Sequence, residues 1–477
     1  MNQGRPVVVL GLDAADHGLI ERWAAEGELP VFAKLLEQGA YGILESTAGV
    51  FSGSAWISIA TGCGPGNCGV YGRYQLAPGT YDVRRIRADD CKVAPFWASF
   101  RGPAVVVDVP KAPLVSGMQG VQLVEWGAYD HYSQFSTSPA GLSNRILDEF
   151  GRHPFMERDF EVALRGRRDF ESLQELMIQG IKMKQRLNLA LLKTLQPRLF
   201  FSVFCEPHAA GHAFWRFQDP RHPGYEPNGP FAAFLRDVYR AMDHAVGEFL
   251  EALPRDGVFV ILSSDGFGLD STADEDFLCE TLVKMGASVS RFENTKYAPY
   301  APGMSLDMAR SKAFSLPTDL QGYIRINLRG REPNGVISES AYDAVCGELE
   351  GELLALRHRG HGAPVVREVV RVRDRFGGAF TDALPDLSVV WNNDHVLTQV
   401  ESPACGLIQR QPDLSYGGGN HRGVGFMLIY GSGVNRSRFD GHVWDVATTL
   451  CSLLGEVRRP EWEGRVLPIP GLDCPNG

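Results

Sequence analysis

The sequence predicts an α/β fold in which helices cover both faces of a mostly parallel central sheet. Apolar runs of strand length alternate with amphipathic helical patterns from one end of the chain to the other. This alternation is typical of parallel sheets, because the connecting helices pack on the sheet faces. Ligand-type side chains follow several of the apolar runs, and parallel sheets form their functional sites at the carboxyl ends of strands.

Eight apolar runs are predicted as strands and seven periodic segments as helices. The strands are 7–12, 41–46, 104–109, 199–204, 258–262, 323–328, 387–391 and 425–430. The helices are 17–38, 54–61, 139–150, 170–195, 230–253, 338–357 and 442–454. In 230–253, for example, Leu235, Val238, Met242, Val246 and Phe249 recur at spacings of 3 and 4, which gives one apolar helix face.

Two segments interrupt this alternation, and both are rich in glycine, proline and aromatic residues. We expect a single domain over 1–477, with an insertion at 72–170 near the active site and a second insertion or cap at 268–345. The turn Arg331-Glu-Pro-Asn-Gly335 is typical of such connecting structure. Insertions over the carboxyl edge of the sheet would form the walls of a substrate pocket.

Composition excludes several classes of function. The net charge of −10 and the absence of a Lys/Arg block make a nucleic-acid partner unexpected. No apolar stretch of about 18 residues predicts a membrane span. Nine cysteines, no export signal and no Cys-x-x-Cys predict reduced thiols and a cytoplasmic location. Composition leaves the oligomeric state open.

Residues of the types that bind metals cluster at the ends of four predicted strands. The histidines of Glu206-Pro-His-Ala-Ala-Gly-His212 are four residues apart, so one ion can reach both from one helix face. For the aspartate after strand 7–12, a helix N-cap is an equally good interpretation. The metal-ligand candidates are Asp13, His208, His212, Ser264, Asp265 and His421.

Ser52 and Ser54 precede a predicted helix, where unpaired N–H groups and the helix dipole favour an anion such as a phosphoryl group. A simple serine N-cap is the more common role of an isolated Ser-Gly-Ser. Lys111 and Trp126 belong to the first insertion and are candidates for contact with a substrate. For Lys111, a surface salt bridge is the more common alternative.

Several segments along the chain resemble those of a known family. The quoted segments are Gly11-Leu-Asp-Ala-Ala-Asp16, Thr61-Gly-Cys-Gly-Pro-Gly-Asn-Cys-Gly-Val-Tyr-Gly72, Pro385-Asp-Leu387 and Gly419-Asn-His-Arg422. In this order they are similar to the type I phosphodiesterase/nucleotide pyrophosphatase family of the alkaline phosphatase superfamily. The resemblance implies an alkaline phosphatase-like αβα sandwich and usually two divalent ions, commonly zinc. It also implies a Thr or Ser nucleophile that forms a covalent phosphoryl-enzyme.

The family pattern places its first-strand aspartate on Asp13, its nucleophile on Ser52 and its late histidine on His421. The Asp and His of its Glu-Pro-Asp-x-x-Gly-His motif fall on His208 and His212. The chain therefore has a histidine where the family has an aspartate.

A second departure lies in Ser263-Ser-Asp-Gly-Phe-Gly268, where the family has Ser-Asp-His-Gly-Phe-Gly. A gapless match puts Ser264 on the usual Asp and Asp265 on the usual His. A one-residue slip makes Asp265 the usual Asp and removes the His. Either way one of the two metal positions loses a strong ligand. A third departure is Ala55, where an Asn that holds phosphoryl oxygens often follows the nucleophile.

The sequence thus predicts a metal-dependent hydrolase of a small-molecule phosphodiester or phosphomonoester, with Ser52 as nucleophile. We expect one tightly bound divalent ion, with zinc favoured, on the three histidines; a second, weaker ion near Asp13 and Asp265 is left open. One alternative is a divergent relative that catalyses group transfer or another hydrolysis in small-molecule, natural-product biosynthesis. A catalytically inert binding protein is the third hypothesis.

Overall fold

The protein is described here by a computed structural model that covers residues 5–156, 169–292, 299–318, 320–411 and 418–471. Its central sheet has nine strands among the described residues. In spatial order they are β20 (Ser437–His442), β2 (Ala40–Glu45), β19 (Val424–Gly431), β9 (Val258–Ser263), β1 (Val7–Leu12), β8 (Leu199–Phe204), β5 (Ala104–Val107), β6 (Gly120–Val124) and β7 (Ser136–Ser138).

The central sheet is mostly parallel, as predicted. Strand β1 lies in the middle and pairs in parallel with β8 on one side and β9 on the other. Strands β5 and β6 extend the parallel run beyond β8. Only β19 and β7 run against this direction in the described sheet. The carboxyl ends of β1, β8 and β9 therefore lie side by side at one edge.

The described helices connect and cover these strands. They are α1 (His17–Ala25), α2 (Pro30–Gln38), α3 (Ala55–Thr61), α4 (Pro65–Cys68), α5 (Leu142–Phe150), α6 (Phe170–Leu195), α7 (Glu206–Phe214), α8 (Phe234–Glu251), α9 (Glu275–Lys284), α10 (Pro302–Ser305), α11 (Tyr342–Leu354), α12 (Val372–Arg375) and α13 (Asp445–Leu453).

Successive residues of β1 face two separate hydrophobic cores. Val8 and Leu10 pack in a core that includes residues of α1, α2, α6 and α8. Val7 and Val9 pack on the opposite face, in a core that includes residues of α3 and α13. Because side chains alternate along a strand, a sheet buried on both faces reads as a continuous apolar run. The predicted αβα sandwich is confirmed.

The single helix predicted over 17–38 is wrong, since α1 and α2 are separate helices. Gly27 adopts a left-handed backbone with φ of +81° just after α1 ends. Pro30 then begins α2 at its first position, where its missing N–H has no helical partner to lose. The apolar periodicity crosses this break because both helices pack on the same side of the sheet.

A second sheet lies outside the sandwich and is antiparallel. Its strands are β11 (Ala313–Leu316), β12 (Gly322–Ile326), β15 (Leu387–Trp391) and β14 (Val366–Arg371), and it contains two of the eight predicted strands, 323–328 and 387–391. With α9 and α11 it forms a core of its own, which takes residues from Phe277 to Ile408. The segment 268–345 is therefore continuous in structure with the residues that follow it. We call this sheet and its helices the cap unit.

The remaining strands of the described residues form three small sheets. They are β3 (Tyr74–Leu76) with β4 (Val83–Arg85), β10 (Gly266–Leu269) with β18 (Gly419–Arg422), and β13 (Arg357–His358) with β16 (Gln399–Ser402) and β17 (Gly406–Gln409). The β10–β18 pair matters most for function, because it carries a predicted site residue, His421, against Phe267. Within the described ranges, no helix has the length and apolar character needed to cross a membrane.

Candidate active site

A cavity of about 650 Å³ opens at the carboxyl edge of the central sheet. Its floor is formed where β1, β8 and β9 end, and its walls come from the first insertion and the cap unit. The sequence-predicted residues that line it are Asp13, Ser52, Lys111, His208, His212, Ser264, Asp265 and His421. The structure thus brings together candidates that are up to 408 positions apart, from 13 to 421.

Three histidines converge within this cavity. His208 and His212 lie one turn apart on α7, and His421 lies on β18. One ring nitrogen of each lies within 4.8 Å of the others, and the ring centroids are 4.6, 5.0 and 5.1 Å apart. The connections explain this close spacing. Helix α7 begins directly after β8, and β18 leads into β19, and both β8 and β19 are strands of the central sheet.

Each of the three imidazoles has its Nδ1 atom next to an oxygen. Nδ1 of His208 lies 2.8 Å from an Asp13 carboxylate oxygen, and Nδ1 of His421 lies 2.8 Å from Asp265. Nδ1 of His212 lies 3.0 Å from the Gly419 carbonyl oxygen. For His208 and His212 this oxygen accepts a hydrogen bond, which places the hydrogen on Nδ1 and leaves Nε2 as the ligand atom. The contact of His421 with Asp265 is a close ion-pair distance without hydrogen-bond geometry.

The two carboxylates are linked to each other by Ser264. The Ser264 hydroxyl lies 2.6 Å from Asp265 Oδ1 and 3.3 Å from Asp13 Oδ1. The Trp56 indole N–H also donates to Asp13 Oδ1, at 2.6 Å. The N-cap interpretation of Asp13 is not supported, because the side chain of Asp16 caps α1. Both oxygens of Asp13 are committed to other side chains of the site.

Burial and charge act in opposite directions on the Asp13–His208 pair. Burial alone would raise the pKa of Asp13, but the charge and hydrogen bond of His208 outweigh it and hold that pKa below its ordinary value. Burial alone would lower the pKa of His208, but Asp13 reverses this and raises it. The pair therefore holds its geometry by mutual electrostatic attraction.

Ser52 lies in a short 3₁₀ turn, Ser52–Ser54, immediately before α3. Its hydroxyl oxygen is buried and has no hydrogen-bond partner among the described residues. Its backbone N–H donates to the hydroxyl of Tyr323 at 3.2 Å. The Lys111 ammonium donates to the carbonyl of Gly53 at 2.9 Å, which places a positive charge next to this turn.

Two predicted substrate contacts do not reach the cavity. Ser54 is fully buried, and its hydroxyl donates to the Phe51 carbonyl at 2.9 Å. Trp126 is also fully buried in the core, and its indole N–H donates to the Gly151 carbonyl. Neither residue is among those that line the cavity. Trp126 lies two residues after the end of β6, and its backbone N–H donates to the Asp108 carboxylate.

Tyr129 is not predicted from the sequence, yet its ring lies closer to a histidine of the cavity than any other aromatic ring. Its ring stacks on His208 with centroids 4.0 Å apart and an interplanar angle of 23°. It also stacks on His212 at 5.9 Å. The sequence did place Tyr129 in the first insertion, which was expected near the site. Only the structure shows that its side chain faces the histidines of the cavity.

The cap unit holds the loop that carries Ser52. The Ser388 hydroxyl donates to the Val50 carbonyl at 2.9 Å, and the Gln321 amide donates to the Ala48 carbonyl at 2.8 Å. The Phe51 ring packs edge-on against Tyr323, with centroids 5.4 Å apart. The second sheet therefore positions the loop as well as forming one wall of the cavity.

Two solved structures illustrate the fold that this chain shares with known enzymes. Phosphonoacetate hydrolase from Sinorhizobium meliloti 1021, in complex with phosphonoformate, is 13% identical with a TM-score of 0.56; the match covers 95% of this chain and 96% of that one. An inactive variant of murine ectonucleotide pyrophosphatase/phosphodiesterase 5, in complex with AMP, is 13% identical with a TM-score of 0.54; it covers 97% and 100%. No curated protein matches the chain in sequence.

The family model described as type I phosphodiesterase / nucleotide pyrophosphatase matches residues 7–422. This range includes both ends of the site, Asp13 and His421, and all the segments that carry the resemblance. The match spans most of the 477 residues. The chain is therefore an enzyme that belongs to the type I phosphodiesterase / nucleotide pyrophosphatase family.

Proposed function

We propose that this enzyme hydrolyses a small-molecule phosphodiester or phosphomonoester, with Ser52 as the nucleophile and one divalent ion, zinc, on His208, His212 and His421. The observation that carries the proposal is the orientation of the three imidazoles. One ring nitrogen of each lies within 4.8 Å of the others, and hydrogen bonds at Nδ1 of His208 and His212 leave their Nε2 atoms for one ion. Ser52 lines the same cavity.

The donor set fits a zinc ion. Three neutral imidazoles with an open fourth position are the ligands of many catalytic zinc sites. Carboxylates behind two of the rings, from Asp13 and Asp265, raise the basicity of the imidazoles and hold them in place. A divalent ion in such a site supplies positive charge that stabilises the negative oxygens of a phosphoryl group.

In the proposed reaction, Ser52 is the nucleophile and Lys111 supplies positive charge. The Ser52 oxygen attacks phosphorus, the bond to the leaving oxygen breaks, and the hydroxyl proton of Ser52 ends on that leaving oxygen. Water later releases the phosphoryl group from Ser52 and returns a proton to the serine oxygen. The buried, unpartnered Ser52 hydroxyl is suited to this role, because no internal hydrogen bond must break first. Lys111, held beside the turn by the Gly53 carbonyl, contributes positive charge toward the phosphoryl oxygens.

A second candidate function is transfer of the group to an acceptor other than water, or hydrolysis of a different bond, in small-molecule biosynthesis. The observation in its favour is that Asp13 and Asp265 are engaged with histidines instead of remaining available to a second ion. The structure of phosphonoacetate hydrolase holds phosphonoformate, so a phosphonate belongs among the substrates to be tested.

The reducing cytoplasm is the compartment we propose for this reaction. Eight cysteines lie within the described residues, and all eight are free thiols. Seven of them are buried, and Cys91 is half-buried. Unpaired buried cysteines are typical of proteins that fold in reducing compartments.

The test is an assay of protein stripped with a chelator and then reloaded with zinc. Bis(4-nitrophenyl) phosphate, 4-nitrophenyl phosphate and phosphonoacetate serve as substrates. We expect hydrolysis of a phosphate ester to return with the metal, and to be lost in His212→Ala and in Ser52→Ala. Full activity in stripped protein would contradict the metal role. Reaction of the phosphonate alone, with no ester cleaved, would favour the second candidate.

A further inference from the structure

A second group of three histidines lies away from the cavity, on segments that adjoin strands β14 and β15 of the cap unit. His358 is on β13, His361 is on the turn that follows, and His395 is on the turn after β15. Their ring centroids are 4.3, 4.9 and 5.5 Å apart. None of the three lines the cavity of the candidate active site. The proposed hydrolysis makes no use of this cluster.

The spacing of these rings suits one transition-metal ion. Zinc–nitrogen bonds of about 2.0–2.1 Å in a tetrahedral site place imidazole centroids about 5 Å apart. The first histidine group has separations of 4.6 to 5.1 Å, so the two groups are of similar size. Imidazole is a preferred ligand of zinc, copper and nickel.

His358 has a buried nitrogen that the protein does not satisfy. The residue is 3% exposed, and its Nε2 atom has no hydrogen-bond partner among the described residues. Buried polar atoms in native proteins almost always have a partner, and an ion is one of the groups that fills this role.

The other two rings are exposed and can turn toward a shared ion. Among the described residues, only the first group already brings its ring nitrogens within 4.8 Å of one another. Closure of the second group requires rotation of His361 and His395, whose χ2 torsions have broad energy wells. Gly362, at φ +70°, ends the tight turn that returns His361 toward His358.

We propose that His358, His361 and His395 form a second binding site for a divalent transition-metal ion, which ties the turn after β13 to the turn after β15. Two of the ligands, His361 and His395, are exposed and must rotate to reach a shared ion, so the site is weaker than the first. It is independent of the proposed hydrolysis.

The experiment is zinc binding to the full-length protein, measured by equilibrium dialysis with elemental analysis. We expect a tight equivalent and a second, weaker equivalent per chain. The His361→Asn/His395→Asn double variant should weaken the second at least tenfold and leave hydrolysis unchanged. Both positions are exposed, so the double variant is expected to fold. His244→Asn, at an exposed single histidine of α8, is the matched control and should retain both equivalents.

The His212→Ala variant separates the two sites further. It should lose the tight equivalent and keep the weaker one. Absence of a second equivalent in the wild type would overturn the proposal. So would its survival at full affinity in the double variant. Both outcomes leave the proposed phosphoester hydrolysis untouched, because that reaction is tested by the tight ion and by Ser52.

Discussion

Two carboxylates in the candidate active site each contact an imidazole, so neither is freely available as a ligand for a metal ion. Asp13 is hydrogen-bonded to His208 Nδ1 at 2.8 Å, and an Asp265 oxygen lies 2.8 Å from His421 Nδ1 as an ion-pair contact. A carboxylate in this position aims the ring and makes it a stronger ligand. In the proposed metal site, His208 stands where the family pattern has an aspartate and adds a third imidazole to His212 and His421. It also gives Asp13 a new partner.

A substitution at Asp265 tests this positioning role. In Asp265→Asn the amide oxygen still accepts a hydrogen bond, but the negative charge behind His421 is gone. We expect the affinity for the tight ion to fall about 10–100-fold, with the number of ions at saturation unchanged. Equilibrium dialysis measures both quantities. Asp270→Asn, in the same cavity wall, is the control; equal losses in both variants would argue for a general charge effect.

The two serines of the 3₁₀ turn should differ sharply. Ser52→Ala should lower kcat by at least about 10³-fold, since a covalent nucleophile is removed. Ser54→Ala should keep a substantial fraction of activity, because its hydroxyl bonds the Phe51 carbonyl and does not line the cavity. Steady-state kinetics on one substrate compares them. If Ser54→Ala is the inactive variant, the nucleophile has been assigned to the wrong serine.

Among individual residues, the sequence predicted those whose spacing or position on the chain is distinctive. His208 and His212 stand out because they are four apart after a buried strand. The sequence did not indicate which of Tyr129 and Trp126 reaches the cavity, since both are aromatic residues of one insertion. The direction of each side chain depends on the loop conformation, in which Asp108 accepts the backbone N–H of Trp126 at 2.9 Å.

At the scale of elements, the cap unit acts on the turn that carries Ser52. Tyr323 of β12 accepts the Ser52 N–H through its hydroxyl and packs its ring against Phe51. Tyr323→Phe removes only the oxygen. We expect kcat/KM to fall about 2–10-fold, equivalent to one hydrogen bond of about 0.5–1.5 kcal/mol. The thermal midpoint should change little.

Ser388→Ala is the matched control for this prediction. It removes another hydrogen bond between the cap unit and the same loop, at the Val50 carbonyl, two residues before Ser52. We expect a smaller loss of kcat/KM than in Tyr323→Phe. If neither variant affects kinetics, the cap unit is only a wall of the cavity.

The boundaries of a helix were predictable where its apolar periodicity stopped at the same residues as its N-terminal and C-terminal capping signals. Helix α6 occupies 170–195 as predicted, because Asp169 caps its start and Gln196 ends it with a left-handed backbone. The segment 17–38 was divided by Gly27 and Pro30, two end signals that the apolar pattern crossed. The strands at 323–328 and 387–391 were found, but apolar pattern alone carries no information about which sheet a strand joins.

At the scale of the molecule, a buried ion pair fastens one helical layer to the sheet. The Lys184 ammonium on α6 lies 3.1 Å from Asp108, and both side chains are fully buried. It also donates to the carbonyls of Gly127 and Val203, at 2.9 Å each. Asp108 raises the pKa of Lys184 above its ordinary value even though burial alone would lower it.

We expect Lys184→Met to lower the free energy of unfolding by about 3–5 kcal/mol, because Asp108 is then left buried without its counter-charge. Urea-induced unfolding followed by fluorescence measures this. Lys193→Met, an exposed lysine on the same helix, should change it by less than about 0.5 kcal/mol. Equal effects of the two substitutions would contradict a stabilising role for the buried pair.

The sandwich itself was predictable from the whole chain, since alternation of strands and helices leaves few other architectures. The size of the cap unit was not, because its core joins residues from Phe277 to Ile408 across long sequence separations. Its strands were recognised individually. Their common sheet depends on antiparallel pairings that the sequence does not reveal.

The central claim is that the active site holds one tight divalent ion on three histidines. The most direct measurement is elemental analysis of protein purified without chelators and freed of weakly bound metal. We predict about one equivalent per chain, lost in His212→Ala and retained at saturation in Asp13→Asn. Two tight equivalents, one of them lost in Asp13→Asn, would contradict the account. They would show that Asp13, Ser264 and Asp265 still complete a second metal position.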